Sequence, residues 1–99
     1  MYNKLVRDNI PDIIKSRGGE PITRILDDTE YRLELEKKLL EEANEVINAN
    51  GSDRIEELAD LLEVMYALMD LENKSLEDVQ VVREEKALKR GAFTKRLYL

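Results

Sequence analysis

The fold is decided by residues 54–72, which read RIEELADLLEVMYALMDLE. At about 100° per residue, the apolar side chains of this stretch cover most of the circumference of a helix. A helix that is apolar nearly all round is buried on several sides. We therefore expect a helix at about 54–72 that lies at the centre of the molecule, at a subunit interface, or both.

Capping residues and helix breakers on either side of this stretch predict three further helices. The predicted helices span about 10–16, 29–49 and 76–90. The short connection at 48–53 makes the second and third helices antiparallel neighbours. We expect residues 1–99 to form a single all-α domain, an antiparallel helical bundle of about four helices.

The composition excludes several classes of function. The net charge of −6 disfavours broad electrostatic binding to nucleic acid or to an anionic membrane. Cysteine and histidine are both absent, so thiolate and imidazole catalysis are excluded. No apolar run approaches the ~18 residues of a membrane span, and Met1 to Arg7 lacks the apolar core of a signal peptide. We expect a cytoplasmic protein with no nucleic-acid or membrane partner.

Two pairs of carboxylates, each at positions i and i+3, stand out in the two central helices. Glu57 lies within the apolar face of the third helix, and Asp60 follows one turn later. Glu42 and Glu45 form the matching pair on the second helix. An unpaired buried carboxylate costs several kcal/mol or more, so four that converge require cations. An all-oxygen ligand set favours Mg²⁺, with Mn²⁺ as a substitute.

EEANE at 41–45 and ELAD at 57–60 together form one carboxylate motif, which resembles that of the MazG-like all-α NTP pyrophosphatases, a superfamily that includes phosphoribosyl-ATP pyrophosphohydrolase. YNKLVRDNIP at 2–11 and RGAFTKR at 90–96 look like the opening and closing segments of the small phosphoribosyl-ATP pyrophosphohydrolase-like branch. The resemblance implies Mg²⁺-dependent hydrolysis between the α and β phosphates of a nucleotide, which yields a nucleoside monophosphate and pyrophosphate.

This reaction gives the other charged residues candidate roles. No side-chain nucleophile is evident, so water should attack, and either Glu41 or Glu45 could orient or deprotonate it. The phosphates need positive charge beyond the metal. The candidate phosphate contacts, in order of preference, are Lys86 and Arg90, then Arg7 and Lys4, then Lys95 and Arg96.

The apolar third helix also predicts self-association, as a homodimer or homotetramer packed through that helix. Two alternative functions stay open at this point. One is phosphoribosyl-ATP hydrolysis in histidine synthesis. The other is a non-catalytic helical module, either a nucleotide sensor or an antitoxin-like partner.

Overall fold

The computed structural model describes residues 3–99 of the chain. Tyr2, the first residue of the opening motif, lies outside the described residues. The structure contains four helices, which are α1 (Ile10–Ser16), α2 (Asp28–Asn48), α3 (Gly51–Leu71) and α4 (Leu76–Arg90). Within residues 3–99 the regular secondary structure is entirely helical. The prediction of an all-α fold is confirmed.

Local capping explains why α2 and α4 begin where the sequence predicts, to within one residue. The side chain of Asp27 accepts a hydrogen bond of 2.8 Å from the backbone N–H of Glu30 at the start of α2. At the start of α4, Ser75 and Asp78 form a capping box, in which each side chain accepts a hydrogen bond from the other residue's backbone N–H. Such caps satisfy backbone donors that have no partner inside the helix.

The turn between α2 and α3 is tighter than the sequence predicts. Helix α3 begins at Gly51 rather than near Arg54, so only Ala49 and Asn50 separate the two helices. Arg54 is the reason, because its Nε donates to the carbonyl oxygens of Val46 at 3.2 Å and Ala49 at 2.8 Å. The Val46 carbonyl also accepts the backbone N–H of Ala49 at 3.4 Å, and Ala49 is the capping residue that ends α2, so the arginine caps one helix from within the next.

Helices α2 and α3 form an antiparallel hairpin. Arg32, near the start of α2, pairs with Glu72, just after the end of α3, at 2.9 Å between Nη1 and Oε1. The Arg54 contacts join the opposite ends of the same two helices. The core between them is small, and its buried apolar residues are Leu35, Val64 and Met69.

The remaining helices pack loosely on this hairpin. Helix α4 touches α3 over a small area, and α1 makes no close backbone approach to another helix. The chain measures 52 × 33 × 22 Å, with a radius of gyration of 17.0 Å. The single chain thus forms an antiparallel helix pair with appended helices, and closure into a four-helix bundle is not confirmed. None of the helices in residues 3–99 has the length and apolarity required to cross a membrane.

Candidate metal centre

Three carboxylates meet midway along the hairpin. One oxygen from each of Glu42, Glu57 and Asp60 lies within 4.8 Å of the other two. Glu42 comes from α2, and the other two lie one turn apart on α3. Glu42 is only 9% exposed, while Glu57 and Asp60 are half-buried. Three of the four predicted metal ligands are therefore brought together, and we call them the carboxylate cluster.

The cluster carries mutually repelling charge in a partly dry position. Burial raises the pKa of Glu42, and the charges of Asp60, Glu41 and Glu45 add to this effect, while Lys38 opposes it. Burial also raises the pKa of Glu57, and the charge that adds most to this effect is that of Asp60. Both carboxyl groups thus lose their protons less readily than an ordinary glutamate, and a bound cation would reverse that effect.

The two candidate groups for activating water differ in their surroundings. Glu45, the fourth predicted metal ligand, is exposed and stands outside the cluster, yet close enough for its charge to raise the pKa of both Glu42 and Glu57. Glu41 lies 3.4 Å from Lys4 and 3.7 Å from Lys38. Among residues 3–99, Glu41 is thus neutralised by two lysines, whereas Glu45 forms no ion pair.

The segment before α1 brings two cations to the carboxylates. Arg7 Nη2 lies 2.6 Å from Asp60 Oδ1, and Lys4 Nζ reaches Glu41 Oε1 at 3.4 Å. Both side chains are about half exposed, so solvent can reach them. Two of the six predicted phosphate contacts therefore stand beside the cluster, and they are the two that the sequence ranked second.

The other four predicted phosphate contacts lie elsewhere in the chain. Lys86 lines an open depression along α4 with Val79 and Val82, and Arg90 is the last residue of that helix. Lys95 and Arg96 follow in an exposed segment. In the part of the chain that the structure describes, no ion pair links any of these four cations to the carboxylate cluster.

Sequence reasoning overlooked one cation at the site. Lys38 lies 3.8 Å from Glu42 and 3.7 Å from Glu41, and its side chain is only 20% exposed. The sequence spacing indicates these ion pairs, because Lys38 lies three and four residues before Glu41 and Glu42, and residues so spaced on a helix are neighbours. Lys38 therefore helps to hold the buried carboxylate in its charged form.

The donor set of the cluster fits a hard divalent cation. All three ligands are carboxylate oxygens on facing helices, which is how helix bundles build their metal sites. Cysteine and histidine, which zinc and copper sites favour, are absent from the whole sequence. Burial, and then the charge of Asp60, raise the pKa of both glutamates, and a bound cation would stabilise their ionised forms.

Comparison with known proteins leaves the family open. Part of the chain is similar to an uncharacterised protein of Mycolicibacterium smegmatis (strain ATCC 700084 / mc(2)155), with 44% identity over 50 residues. The match covers 50% of this chain and 51% of that protein, so the chain spans about half the length of the curated relative it matches. No protein-family model matches the chain. No solved structure matches it either. The function must be argued from the site itself.

Proposed function

We propose that this chain is a Mg²⁺-dependent nucleotide pyrophosphohydrolase that cleaves between the α and β phosphates. The observation that carries the proposal is the convergence of Glu42, Glu57 and Asp60 within 4.8 Å, with Glu42 buried. Three like charges at one point repel one another, and a divalent cation would offset that repulsion more directly than the ion pairs with Arg7 and Lys38. The three motifs quoted above support the same reaction by resemblance.

The cluster would hold the divalent cation. Mg²⁺ suits an all-carboxylate set and Mn²⁺ would substitute for it. When bound, the cation supplies positive charge that offsets the charge on the phosphate oxygens and favours attack by water. Glu42 and Glu57 would bind it in their ionised forms, so binding releases any protons that their raised pKa values retain.

Arg7 and Lys4 are the side chains best placed to receive the phosphates. The chain has a net charge of −6, so an anionic substrate requires a local source of positive charge. Both cations stand beside the cluster and reach solvent. An arginine presents two parallel N–H donors to phosphate oxygens, which makes Arg7 the stronger candidate.

Glu45 is the better placed of the two candidates for activating water. It is exposed beside the cluster, whereas Glu41 is occupied by two lysines. In the proposed step the water oxygen bonds to the α phosphorus, and the bond from that phosphorus to the α–β bridging oxygen breaks. The electron pair leaves with pyrophosphate, and Glu45 accepts the proton of the water.

The experiment that tests this function is a panel of nucleoside triphosphates and phosphoribosyl-ATP, assayed for pyrophosphate release with Mg²⁺. We expect monophosphate and pyrophosphate as products. Asp60→Asn should lower the rate by on the order of 100-fold or more, because it removes a charged ligand. Asp70→Asn is the matched control, since Asp70 is an exposed aspartate on the same helix. Diphosphate and orthophosphate as products would exclude cleavage between the α and β phosphates.

The same panel separates the alternatives. A strong preference for phosphoribosyl-ATP would assign the chain to histidine synthesis. A non-catalytic nucleotide sensor is favoured by one observation, the 2.6 Å ion pair of Arg7 with Asp60, which neutralises part of the cluster without a metal. Nucleotide binding without turnover of any substrate would identify that function. We also propose a cytoplasmic location, where nucleoside triphosphates are available.

A further inference from the structure

Lys38 is the least exposed of the three cations that pair with the acidic residues at the carboxylate cluster. Its side chain is 20% exposed, against 45% for Lys4 and 57% for Arg7. Its Nζ lies 3.7 Å from Glu41 Oε1 and 3.8 Å from Glu42 Oε1. Both distances are longer than a hydrogen bond, so neither carboxylate takes up the N–H donors of this ammonium. Lys38 is therefore in a position to donate hydrogen bonds to an anion that enters the site.

The order of Lys38, Glu42 and Glu45 along α2 gives the site a direction. At a rise of about 1.5 Å per residue, Lys38 lies about 6 Å before Glu42, and Glu45 lies about 4.5 Å after it. At about 100° per residue, both lie to the same side of Glu42, by about 40° and 60° respectively. Lys38 and Glu45 therefore share one face of α2 and are about 10.5 Å apart along the helix axis, with Glu42 at a level between them.

This separation fits the line along which the proposed reaction takes place. In phosphoryl transfer the attacking and leaving oxygens lie roughly in line, on opposite sides of the phosphorus. A hydrogen bond of about 2.6–3.2 Å joins Glu45 to the water, and the water oxygen starts about 3–3.5 Å from the phosphorus. With the P–O bond that breaks and a second hydrogen bond to its oxygen, the line spans roughly 10 Å. A donor at the end of this line opposite Glu45 is therefore at the level of Lys38.

The surroundings of Lys38 favour the same end of the site. A divalent cation bound by Glu42 would repel the ammonium, which stands 3.8 Å from that carboxylate. Side chains on a helix lean toward its N-terminus, so the lysine retreats most readily toward the start of α2 and away from Glu45. Lys4 lies nearby, because it and Lys38 both pair with Glu41. Two ammonium groups thus meet on the side where pyrophosphate, the more highly charged product, would leave.

We propose that Lys38 is a catalytic residue whose ammonium binds the leaving pyrophosphate. It donates to the oxygen that bridges the α and β phosphates and offsets the negative charge that this oxygen gains as its bond to the α phosphorus breaks. The electron pair leaves with pyrophosphate, and the ammonium keeps its own protons. This role rests on the proposed function, and it gives the substrate a direction. The β and γ phosphates extend from the level of Glu42 toward the start of α2.

The first test is the binding of inorganic pyrophosphate in the presence of Mg²⁺, measured by calorimetry. Lys38→Met keeps a long, helix-favouring side chain but removes its charge. It should weaken pyrophosphate binding about tenfold or more, because a charge-assisted hydrogen bond is lost. Lys37→Met is the matched control, since Lys37 is 72% exposed and pairs with Glu34 instead. Circular dichroism would verify that both variants keep their helices. Unchanged pyrophosphate affinity in Lys38→Met would overturn the proposal, as would a wild type that binds no pyrophosphate.

The binding of Mg²⁺ alone separates this role from a structural one. If Lys38 served only to hold Glu42 in place for the metal, Lys38→Met would weaken Mg²⁺ and pyrophosphate binding together. In the proposed role the variant binds Mg²⁺ at least as tightly as wild type, because a charge that repels the metal has been removed. The shift in melting temperature produced by Mg²⁺ alone measures this affinity. A Mg²⁺ shift that falls together with the pyrophosphate affinity would contradict a direct contact.

The second test is the dependence of the hydrolysis rate on the leaving group. Nucleotide analogues in which difluoromethylene, oxygen or methylene joins the β and γ phosphates release leaving groups of increasing basicity. In wild type kcat/KM should fall only gently along this series, because the ammonium offsets the charge on the leaving group. Lys38→Met should show a steeper fall, with the largest loss for the methylene analogue, and Lys38→Arg should restore much of the gentle dependence. A loss by the same factor for every analogue would show that Lys38 does not act on the leaving group.

The two tests distinguish failure of this inference from failure of the proposed function. If wild type hydrolyses no nucleotide but its pyrophosphate affinity depends on Lys38, the proposed function fails and the pyrophosphate contact stands. If wild type releases pyrophosphate from a nucleotide but Lys38→Met keeps the wild-type pyrophosphate affinity and leaving-group dependence, the proposed function stands and the role of Lys38 fails.

Discussion

Replacing Asp60 by asparagine should affect stability differently with and without Mg²⁺. Without metal the change has two opposing effects. It removes a charge that raises the pKa of Glu42 and Glu57, so repulsion falls. It also weakens the ion pair with Arg7, whose two side chains are 57% and 43% exposed, and such pairs contribute about 0.2–1 kcal/mol. The free energy of unfolding of metal-free Asp60→Asn should therefore lie within about 1 kcal/mol of the wild-type value.

With Mg²⁺, the melting temperatures of wild type and Asp60→Asn should differ. A ligand at a hundredfold excess over its dissociation constant stabilises the folded state by about 2.7 kcal/mol. For a domain of this size that corresponds to roughly 10–20 °C in melting temperature. If the loss of one charged ligand weakens Mg²⁺ binding about 100-fold, the same concentration gives only about 0.4 kcal/mol, or about 2–3 °C.

Thermal melts of wild type, Asp60→Asn and Asp70→Asn, each with EDTA and with Mg²⁺ at one protein concentration, measure these shifts. Fixed concentration matters because self-association also changes the melting temperature. Asp70→Asn should keep the full shift. Equal Mg²⁺ shifts in wild type and Asp60→Asn would mean that Asp60 is not a ligand. A variant that is less stable by the same amount in both conditions would mean that Asp60 has a structural role only.

Three further predictions concern pH, substrate and folding. Burial raises the folded-state pKa values of Glu42 and Glu57, so stability without metal should fall as pH rises from the ordinary glutamate pKa through these raised values. The Mg²⁺ shift in melting temperature should grow over the same rise in pH, and a pH-independent shift would contradict this. Arg7→Gln should raise KM for nucleotide about tenfold but change stability by less than about 1 kcal/mol, and unchanged kinetics would remove Arg7 from the phosphate site. Ser75→Ala should lower stability by about 1 kcal/mol in thermal melts, since the cap of α4 is lost; an unchanged melting temperature would show that α4 frays independently.

Features set by neighbouring residues could be predicted from the sequence. The bounds of α4 follow from Ser75 before it and Gly91 after it, and the structure has the same bounds. The start of α3 could not be placed, because it depends on Arg54 reaching back to the carbonyl oxygens that end α2. That contact exists only once the hairpin has formed, so no local sequence pattern predicts it.

Some parts of the candidate site could likewise be predicted from the sequence, and others could not. Helical spacing and a short connection were sufficient to bring Glu42, Glu57 and Asp60 together. The positions of the cations were harder to predict, because Arg7 precedes Asp60 by 53 residues. Nothing in the sequence near either residue indicates that they pair. The cations of α4 ranked first on helical spacing alone, yet within residues 3–99 they form no pair with the cluster. The positions of these α4 cations depend on how α4 packs against the rest of the molecule, and in the single chain α4 packs only loosely on the hairpin.

The ion pairs at the cluster connect stability to the proposed activity. Without a metal, Arg7, Lys4 and Lys38 offset the repulsion among the carboxylates, and Arg7 does so at 2.6 Å from Asp60. A divalent cation would take over that task, because it carries more charge at the same point. Arg7 would then be released from Asp60 and become available to a phosphate. Metal and nucleotide should consequently bind more tightly together than separately, and by linkage each raises the affinity of the other by the same factor. The weak exposed pair thus suits its proposed purpose, since a strongly held arginine could not transfer to the substrate.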